Sequence, residues 1–251
     1  LDSLRTIRSG VSFHRKVALE GQVSGDLIQK SDRIVLDKTL YLSTARGGMI
    51  VSTMTVNAIP DSYRLAVQLT DRETGKWSLY MQDLVVPAYG DSLELSDLQV
   101  SAQASDSTRI EAFKKGDFWI VPAPSRTFSD SNSVFVYYEI YNMAKDGMGM
   151  SDYTVSYSIR EEKRKQRLFG SLLRSLTGIG KSEATETTFT LQRYSWDQNE
   201  NVFFEIEADR LEPGLKRVRV TITDNVTGQE ASKEAVLWVL ADEVESLAGR
   251  Q

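Results

Sequence analysis

The chain has no cysteine, a single histidine (His14) and only five prolines among its 251 residues. Without cysteine there is no disulfide framework, no thiolate metal site and no cysteine nucleophile. One histidine excludes multi-histidine metal sites and catalytic triads built on imidazole. No run of about 18 apolar residues occurs, so the sequence predicts no membrane-spanning helix. We therefore expect a non-enzymatic protein without a cofactor.

The negative net charge of the chain argues against one class of function. The formal net charge is −5, which lacks the basic surplus that nucleic-acid binding requires. With 41% hydrophobic residues the chain has ample material for packed cores, and this excludes disorder as its dominant state. It begins at Leu1 without an initiator Met or an apolar leader, so we expect a processed form or one lacking an N-terminal region.

What the sequence does contain is alternation of apolar and polar residues with a period of two. This pattern is typical of half-buried strands, whereas helical periodicity is scarce. The stretch 134–141 is apolar or aromatic on both faces, which predicts the central strand of a sandwich. Further strands are predicted at 49–56, 64–69, 153–159, 202–208 and 235–240.

An internal repeat is the strongest signal. Each copy has a proline turn, an alternating strand, a TDxxTG turn with glycine at a position that favours positive φ, and a second strand. Each copy therefore predicts a hairpin, the last of its domain. The copies share Pro60, Arg64, Val67, Thr70, Asp71, Thr74 and Gly75, which recur at one constant offset as Pro213, Arg217, Val220, Thr223, Asp224, Thr227 and Gly228.

Two terminal hairpins imply two domains. We expect an all-β chain of two tandem immunoglobulin-like or fibronectin-like β-sandwiches, residues 1–103 and 104–251. The boundary is placed in the small, polar stretch 101–108, which lacks the apolar content of a core strand.

A basic insertion at 160–182 interrupts the second predicted domain. It has seven basic residues against two glutamates, and leucines near helical spacing, so we expect a short helical or irregular segment that caps the sandwich. Because its charge opposes that of the whole chain, it is the best candidate for binding a partner; a solvated loop is the alternative. The candidate partner-binding residues are Lys163, Arg164, Lys165, Arg167, Phe169 and Arg174.

Other motifs favour structural explanations. Gly180, Lys181 and Ser182 resemble the end of a phosphate-binding loop, but Ser175 occupies the place of its required first glycine. The oxygen-rich loops at 130–133, 146 and 152 lack EF-hand spacing and are better explained as turns. Glu205 and Glu207 could serve glycoside hydrolysis, but charged residues on a solvent-facing strand are far commoner.

Aromatic residues support a second function. If exposed on one face, they could stack against sugar rings and form a carbohydrate-binding module, so a glycan partner is possible. Core packing is the favoured alternative for half of them, since they fall in the alternation that forms the core. The set is Tyr137, Tyr141, Tyr153, Tyr157, Tyr194 and Trp196.

Several segments resemble the C-terminal β-sandwich region of bacterial GWxTD-domain proteins. They are FVYYEIYN at 135–142, YTVSYSI at 153–159, LSDL at 95–98, the Leu- and Arg-rich stretch 168–176, and LEPG at 211–214 leading to TDxxTG. The GWxTD signature itself is absent from the chain.

The resemblance implies an extracytoplasmic bacterial protein of the periplasm, the outer membrane or the secreted fraction. It brings no catalytic residue. Together with the repeat and the insertion, it leads us to expect a structural or protein–protein interaction module of the cell envelope, whose partner is another envelope protein or subunit. A carbohydrate-binding module is the alternative.

Overall fold

The structure is a computed structural model that describes residues 12–35, 41–44, 47–105, 111–129, 132–162 and 186–241. These residues form an all-β protein with several antiparallel sheets and no α-helix. Accordingly, no helix in them is long and apolar enough to cross a membrane. The chain divides into two compact units, Leu1–Gly90 and Asp91–Gln251.

The first unit contains strands β1 to β6, and the second contains β7 to β17. In the first unit the bounds are β1 Ser12–Gly21, β2 Leu27–Val35, β3 Tyr41–Thr44, β4 Gly47–Ile50, β5 Asp61–Asp71 and β6 Trp77–Val86. In the second they are β7 Glu94–Leu95, β8 Gln99–Ser105, β9 Lys114–Lys115, β10 Phe118–Pro122, β11 Thr127–Ser129, β12 Ser133–Tyr141, β13 Ser151–Glu161, β14 Glu186–Ser195, β15 Glu200–Glu207, β16 Gly214–Asp224 and β17 Glu230–Leu240.

The described part of the first unit forms one four-stranded antiparallel sheet, in the order β2-β1-β5-β6, and a separate hairpin of β3 and β4. The register pairs Val17 with Val67 and Leu19 with Leu65, so these apolar side chains share one face. The predicted immunoglobulin-like or fibronectin-like sandwich is thus not confirmed for the first unit, whose described residues give one sheet and one hairpin. The apolar face of the four-stranded sheet is covered by another part of the chain.

The segment 51–58, here called the covering segment, supplies that cover. The predicted strand 49–56 is only partly formed, because β4 ends at Ile50 and the residues after it join no ladder. Burial nevertheless alternates along the segment, and Met54, Val56 and Ala58 line a groove together with the apolar face of the sheet. Side-chain packing therefore explains the alternation in this segment, where no sheet pairing occurs.

The second unit has two sheets that share one core. The first, called sheet I, has the order β15-β12-β8-β10-β9, with β7 also pairing with β12. The second, called sheet II, has the order β11-β17-β16-β13-β14, in which only β11 and β17 are parallel. A single buried cluster includes Val136 and Tyr138 of sheet I, and Tyr153, Val155 and Val220 of sheet II. The inward faces of both sheets therefore build one hydrophobic core.

The prediction of a central strand at 134–141 is confirmed. Strand β12 lies between β15 and β8. Val134, Val136 and Ile140 point into the core, and Tyr137 on the opposite face is buried as well. Burial on both sides explains why this strand lacks the polar alternation of its neighbours.

Both copies of the repeat form the predicted hairpins, β5 with β6 and β16 with β17. In the first turn the Asp71 carboxylate accepts hydrogen bonds from the backbone N–H groups of Glu73 and Thr74. In the second, Asp224 accepts them from Val226 and Thr227. The predicted positive φ is present at Gly75 (69°) and Gly228 (73°). The two turns are therefore alike in hydrogen bonding as well as in sequence.

The domain boundary predicted at 103/104 differs from the division at Gly90 and Asp91. The small, polar residues from Ser101 onward form most of β8, which pairs with β10 and β12 inside sheet I. Ser101 is fully buried opposite Phe135. Low apolar content therefore did not indicate a linker, because small side chains fit beside a large aromatic neighbour in a sheet.

Candidate functional site

The predicted partner-binding residues lie outside the described residues. Lys163, Arg164, Lys165, Arg167, Phe169 and Arg174 all belong to the connection between β13, which ends at Glu161, and β14, which begins at Glu186. Their role stays a prediction. Gly180, Lys181 and Ser182 lie in the same connection.

The aromatic set is divided between core and surface. Tyr137, Tyr153 and Tyr157 are buried, as core packing predicts, whereas Tyr194 and Trp196 are exposed. The six residues therefore do not form one exposed platform. Only two of them remain freely available for stacking against a ligand.

The buried tyrosines form a hydrogen-bonded network between the sheets. The hydroxyls of Tyr138 and Tyr157 lie 2.9 Å apart, and the hydroxyl of Tyr153 donates to the Glu200 carboxylate. Burial raises the pKa of Tyr138, and the neighbouring Tyr157 raises it further. Burial followed by the Glu200 hydrogen bond raises the pKa of Tyr153. These hydroxyls are buried and already paired, so the network stabilises the contact between the two sheets and does not form a ligand-binding site.

Asp146 is a turn residue, as the sequence predicts, whereas Asp152 lies in strand β13, and Asp130 is outside the described residues. Asp146 accepts hydrogen bonds from the backbone N–H groups of Met148 and Met150, and these bonds lower its pKa. Asp152 accepts from the side-chain amides of Gln192 and Asn225. Among the described residues no group of three or more His, Asp or Glu side chains has the arrangement of a metal site.

A mixed-charge cleft lies beside the ends of β13 and β15. Glu205 and Glu207 both contribute to it, but Glu205 accepts a hydrogen bond from Ser133, and Glu207 pairs with Arg210. Of these two carboxylates, one thus has a hydroxyl neighbour and the other a cationic one. Its charged lining residues are Arg160, Glu161, Glu205, Glu207, Arg210, Glu212 and Lys216.

Arg15 anchors the covering segment on the first-unit sheet. This buried guanidinium donates to Asp32 from Nε (3.0 Å) and Nη2 (2.6 Å). It also donates to the Ser52 hydroxyl and to the Thr53 carbonyl, at 3.1 and 2.8 Å. One arginine thereby links β1, β2 and the covering segment, which keeps the apolar face of the sheet covered.

Strand β6 exposes large apolar side chains at the opposite edge of that sheet. Within the described residues it pairs only with β5, so no strand adjoins its outer edge. Trp77, Leu79, Met81 and Val85 share one face of the strand, and Tyr80 lies on the other. The exposed fractions are 65% for Trp77, 50% for Leu79, 57% for Tyr80, 53% for Met81 and 68% for Val85.

The two edges of this sheet differ in how they are protected. Strand β2 carries Lys30, Asp32 and Arg33, and charged residues are a common defence of an edge against unwanted pairing. Strand β6 carries one charge, Asp83, and no proline. Asp83 lies 3.8 Å from Arg64 with both side chains well exposed, so this ion pair contributes little. The composition of β6 is that of a strand that pairs on both sides.

Comparison with known proteins adds no function to this geometry. No protein-family model matches the chain, and no curated protein matches it significantly. The resemblance to GWxTD-domain proteins therefore stays a prediction.

The edge strand β6 was missed by sequence reasoning, although a signal was present. The decapeptide WSLYMQDLVV combines high β propensity with a single charge, a composition that marks strands prone to pair. The repeat predicts this decapeptide only as the second strand of a hairpin. Its repeat partner β17 buries Ala235, Leu237 and Val239, so membership in the repeat could not indicate exposure.

Proposed function

We propose that the chain is a non-catalytic interaction module that binds a partner protein by strand addition at β6. The exposed apolar edge of β6 carries this proposal. A strand with an open edge offers unpaired backbone N–H and C=O groups, and an added strand would satisfy them. Affinity would come from these hydrogen bonds and from burial of apolar side chains on both faces.

The chemistry of the partner strand follows from the side chains of β6. Trp77, Leu79, Met81 and Val85 would lie beside apolar residues at alternate positions of the added strand. Asp83 interrupts this row on the same face, and it favours a basic residue opposite. A partner strand with alternating apolar residues and one lysine or arginine therefore fits this edge.

The cellular setting belongs to the same proposal. The resemblance to GWxTD-domain proteins supports a bacterial, extracytoplasmic module, whose partner is another envelope protein. The repeated hairpins and the two sheets around one core in the second unit support the immunoglobulin-like or fibronectin-like description at the level of the fold. Fold alone suggests no reaction, so the proposal contains none.

Site-specific photo-crosslinking in the producing cells tests strand addition. We expect a crosslinker at Met81 to capture a specific protein, and one at Gln29 to capture none. The two positions are matched, because Gln29, Ala18, Ala66 and Met81 form one cross-strand row that ends at the two edges of the sheet. Both end residues are exposed.

A charged substitution on β6 provides a second test of strand addition. In a protein that carries the crosslinker at Leu79, the additional substitution Met81→Lys should abolish capture of the partner, because a lysine on an edge strand opposes pairing. Gln29→Lys is the control and should leave capture intact. Equal capture from Gln29, no capture from Met81, or capture that survives Met81→Lys would overturn the proposal. Capture of a second copy through its own β6 would overturn the proposed partner chemistry, because β6 carries no basic residue.

A further inference from the structure

The outer face of sheet II is a hydroxyl-rich surface on three neighbouring strands. The inward residues of β13, β14 and β16 alternate with these outward ones, and the ladder register aligns the outward residues in rows across the strands. All of them are exposed or half-buried. This surface, here called the polar platform, consists of Thr154, Ser156, Ser158, Thr188, Thr190, Gln192, Thr221 and Thr223.

One end of the polar platform carries an exposed aromatic ring beside fixed polar groups. Tyr194 is 60% exposed and lies opposite Asp152 in the ladder. The Asp152 carboxylate accepts from Gln192 Nε2 at 2.9 Å and from Asn225 Nδ2 at 2.7 Å. These hydrogen bonds hold two amides and one carboxylate in defined positions next to the ring.

The other end of the platform carries three arginines, each of which lies close to one or both of two glutamates. Arg217 donates to Glu162 and to Glu234, at 2.8 and 2.6 Å. Arg219 donates to Glu234 at 2.7 Å, and Arg160 lies 3.7 Å from the same carboxylate. Paired arginines offer little to an anionic ligand, so the surface favours a neutral one.

The chemistry of this face selects its ligand. The core of a protein–protein interface is enriched in aromatic residues and depleted of serine and charged residues, and a nucleic acid requires a basic surface. The platform instead consists largely of serine and threonine. A sugar presents C–H groups that pack on an aromatic ring, and hydroxyls that exchange hydrogen bonds with amides, hydroxyls and carboxylates. We propose that the polar platform binds a neutral oligosaccharide, with Tyr194 as the stacking residue and Asp152, Gln192 and Asn225 as its polar contacts.

The extent of the platform indicates a chain of sugars. From Tyr194 to Thr188 the strand β14 covers six residue steps, which is about 20 Å at the spacing of a strand. Several sugar rings fit along this length. The ligand would therefore lie along the strands, and the ring at the Tyr194 end would be the most tightly held.

Titration calorimetry with the full chain and three neutral hexasaccharides, cellohexaose, chitohexaose and maltohexaose, tests the site. We expect at least one to bind with a dissociation constant below the millimolar range. Tyr194→Ala should weaken binding about tenfold, whereas Tyr194→Phe, which keeps the ring, should change it less than about twofold. Because Tyr194 is exposed, neither variant should lower the melting temperature.

Trp238→Ala is the matched control for loss of an aromatic side chain. Trp238 is exposed on the outer face of the same sheet but lies opposite Leu215, six residues along β16 from Thr221, so its loss should leave sugar affinity unchanged. The absence of binding by all three sugars at millimolar concentration would overturn the proposal, and so would binding that Tyr194→Ala leaves intact. The strand-addition proposal concerns β6 of the first unit, so either proposal can fail alone.

Discussion

At the scale of single residues, the paired tyrosines show how a sandwich core accommodates polar groups. The hydroxyls of Tyr138 and Tyr157 satisfy each other inside the core, which removes the cost of burying an unpaired hydroxyl. Burial is the main cause of the raised pKa of both residues, because an ionised phenol would lose its hydration there. The same burial makes the fold sensitive to alkaline pH.

We expect Tyr138→Phe to weaken the dependence of stability on pH above about 10, the usual pKa of tyrosine. In the unfolded chain Tyr138 ionises near that pH, while in the folded chain it stays protonated. Stability contributed by the protonated hydroxyl is therefore present below pH 10 and lost as the pH rises. Removing one such group should reduce the slope by about 1.4 kcal/mol per pH unit. Urea unfolding of both proteins at several alkaline pH values measures it.

Phe204→Leu controls for lost packing in the same region. The rings of Phe204 and Tyr157 have centroids 4.2 Å apart, so this variant should lower stability without removing a titrating group. Its slope against pH should equal that of the parent protein. An unchanged slope in Tyr138→Phe would show that the buried hydroxyl does not resist ionisation.

At the scale of elements, the repeated TDxxTG turn determines where each terminal hairpin reverses. The aspartate accepts two backbone N–H groups, and the glycine donates its own N–H to the aspartate carbonyl, at 2.9 Å in the first copy and 2.7 Å in the second. A left-handed glycine completes this geometry. A side chain at that position costs energy even where space is open.

Gly228→Ala should therefore lower the free energy of unfolding by about 1 kcal/mol, although a Cβ at this position meets no atom within 4 Å. Gly228→Asn should recover part of the loss, since asparagine tolerates positive φ better. Gly147→Ala is the control, because that site also has open space but no left-handed backbone. Equal stability of the Gly228→Ala and Gly147→Ala variants, measured by urea unfolding, would contradict the role of backbone conformation.

At the scale of the whole molecule, the division of the chain decides which fragments can fold. Strand β7 and the first half of β8 precede residue 104, and both pair with the central strand β12. Buried Leu93, Leu95, Leu98 and Val100 belong to the core of the second unit and also precede it. The boundary predicted from composition would remove all of these residues from their core.

A fragment of residues 91–251 should fold cooperatively, whereas a fragment of residues 104–251 should not. The shorter fragment lacks four core side chains, and each buried leucine or valine contributes roughly 1.5–3 kcal/mol, which together approach the whole stability of a domain. Circular dichroism with thermal unfolding distinguishes the two fragments. A cooperative transition of similar midpoint in both would place the boundary back near residue 104.

The sequence by itself determined the local features of this protein. Alternation identified several strands, among them β5, β13, β15 and β17, and apolar residues on both faces identified the central strand 134–141. The TDxxTG motif predicted both hairpins and their left-handed glycines. These features succeed because they depend on residues near one another in the chain, through side-chain direction and turn hydrogen bonds. The burial of Tyr153 and Tyr157 followed from the same alternation.

Only the tertiary structure decided which of these strands are covered. Strands β6 and β17 occupy equivalent positions in the repeat, yet β6 is exposed at an edge and β17 packs between β11 and β16. Likewise, Ser101 is buried although serine is polar, and Tyr194 is exposed although its ring is apolar. Burial depends on neighbours that are distant in sequence, so periodicity shows which side chains share a face but not whether that face is covered.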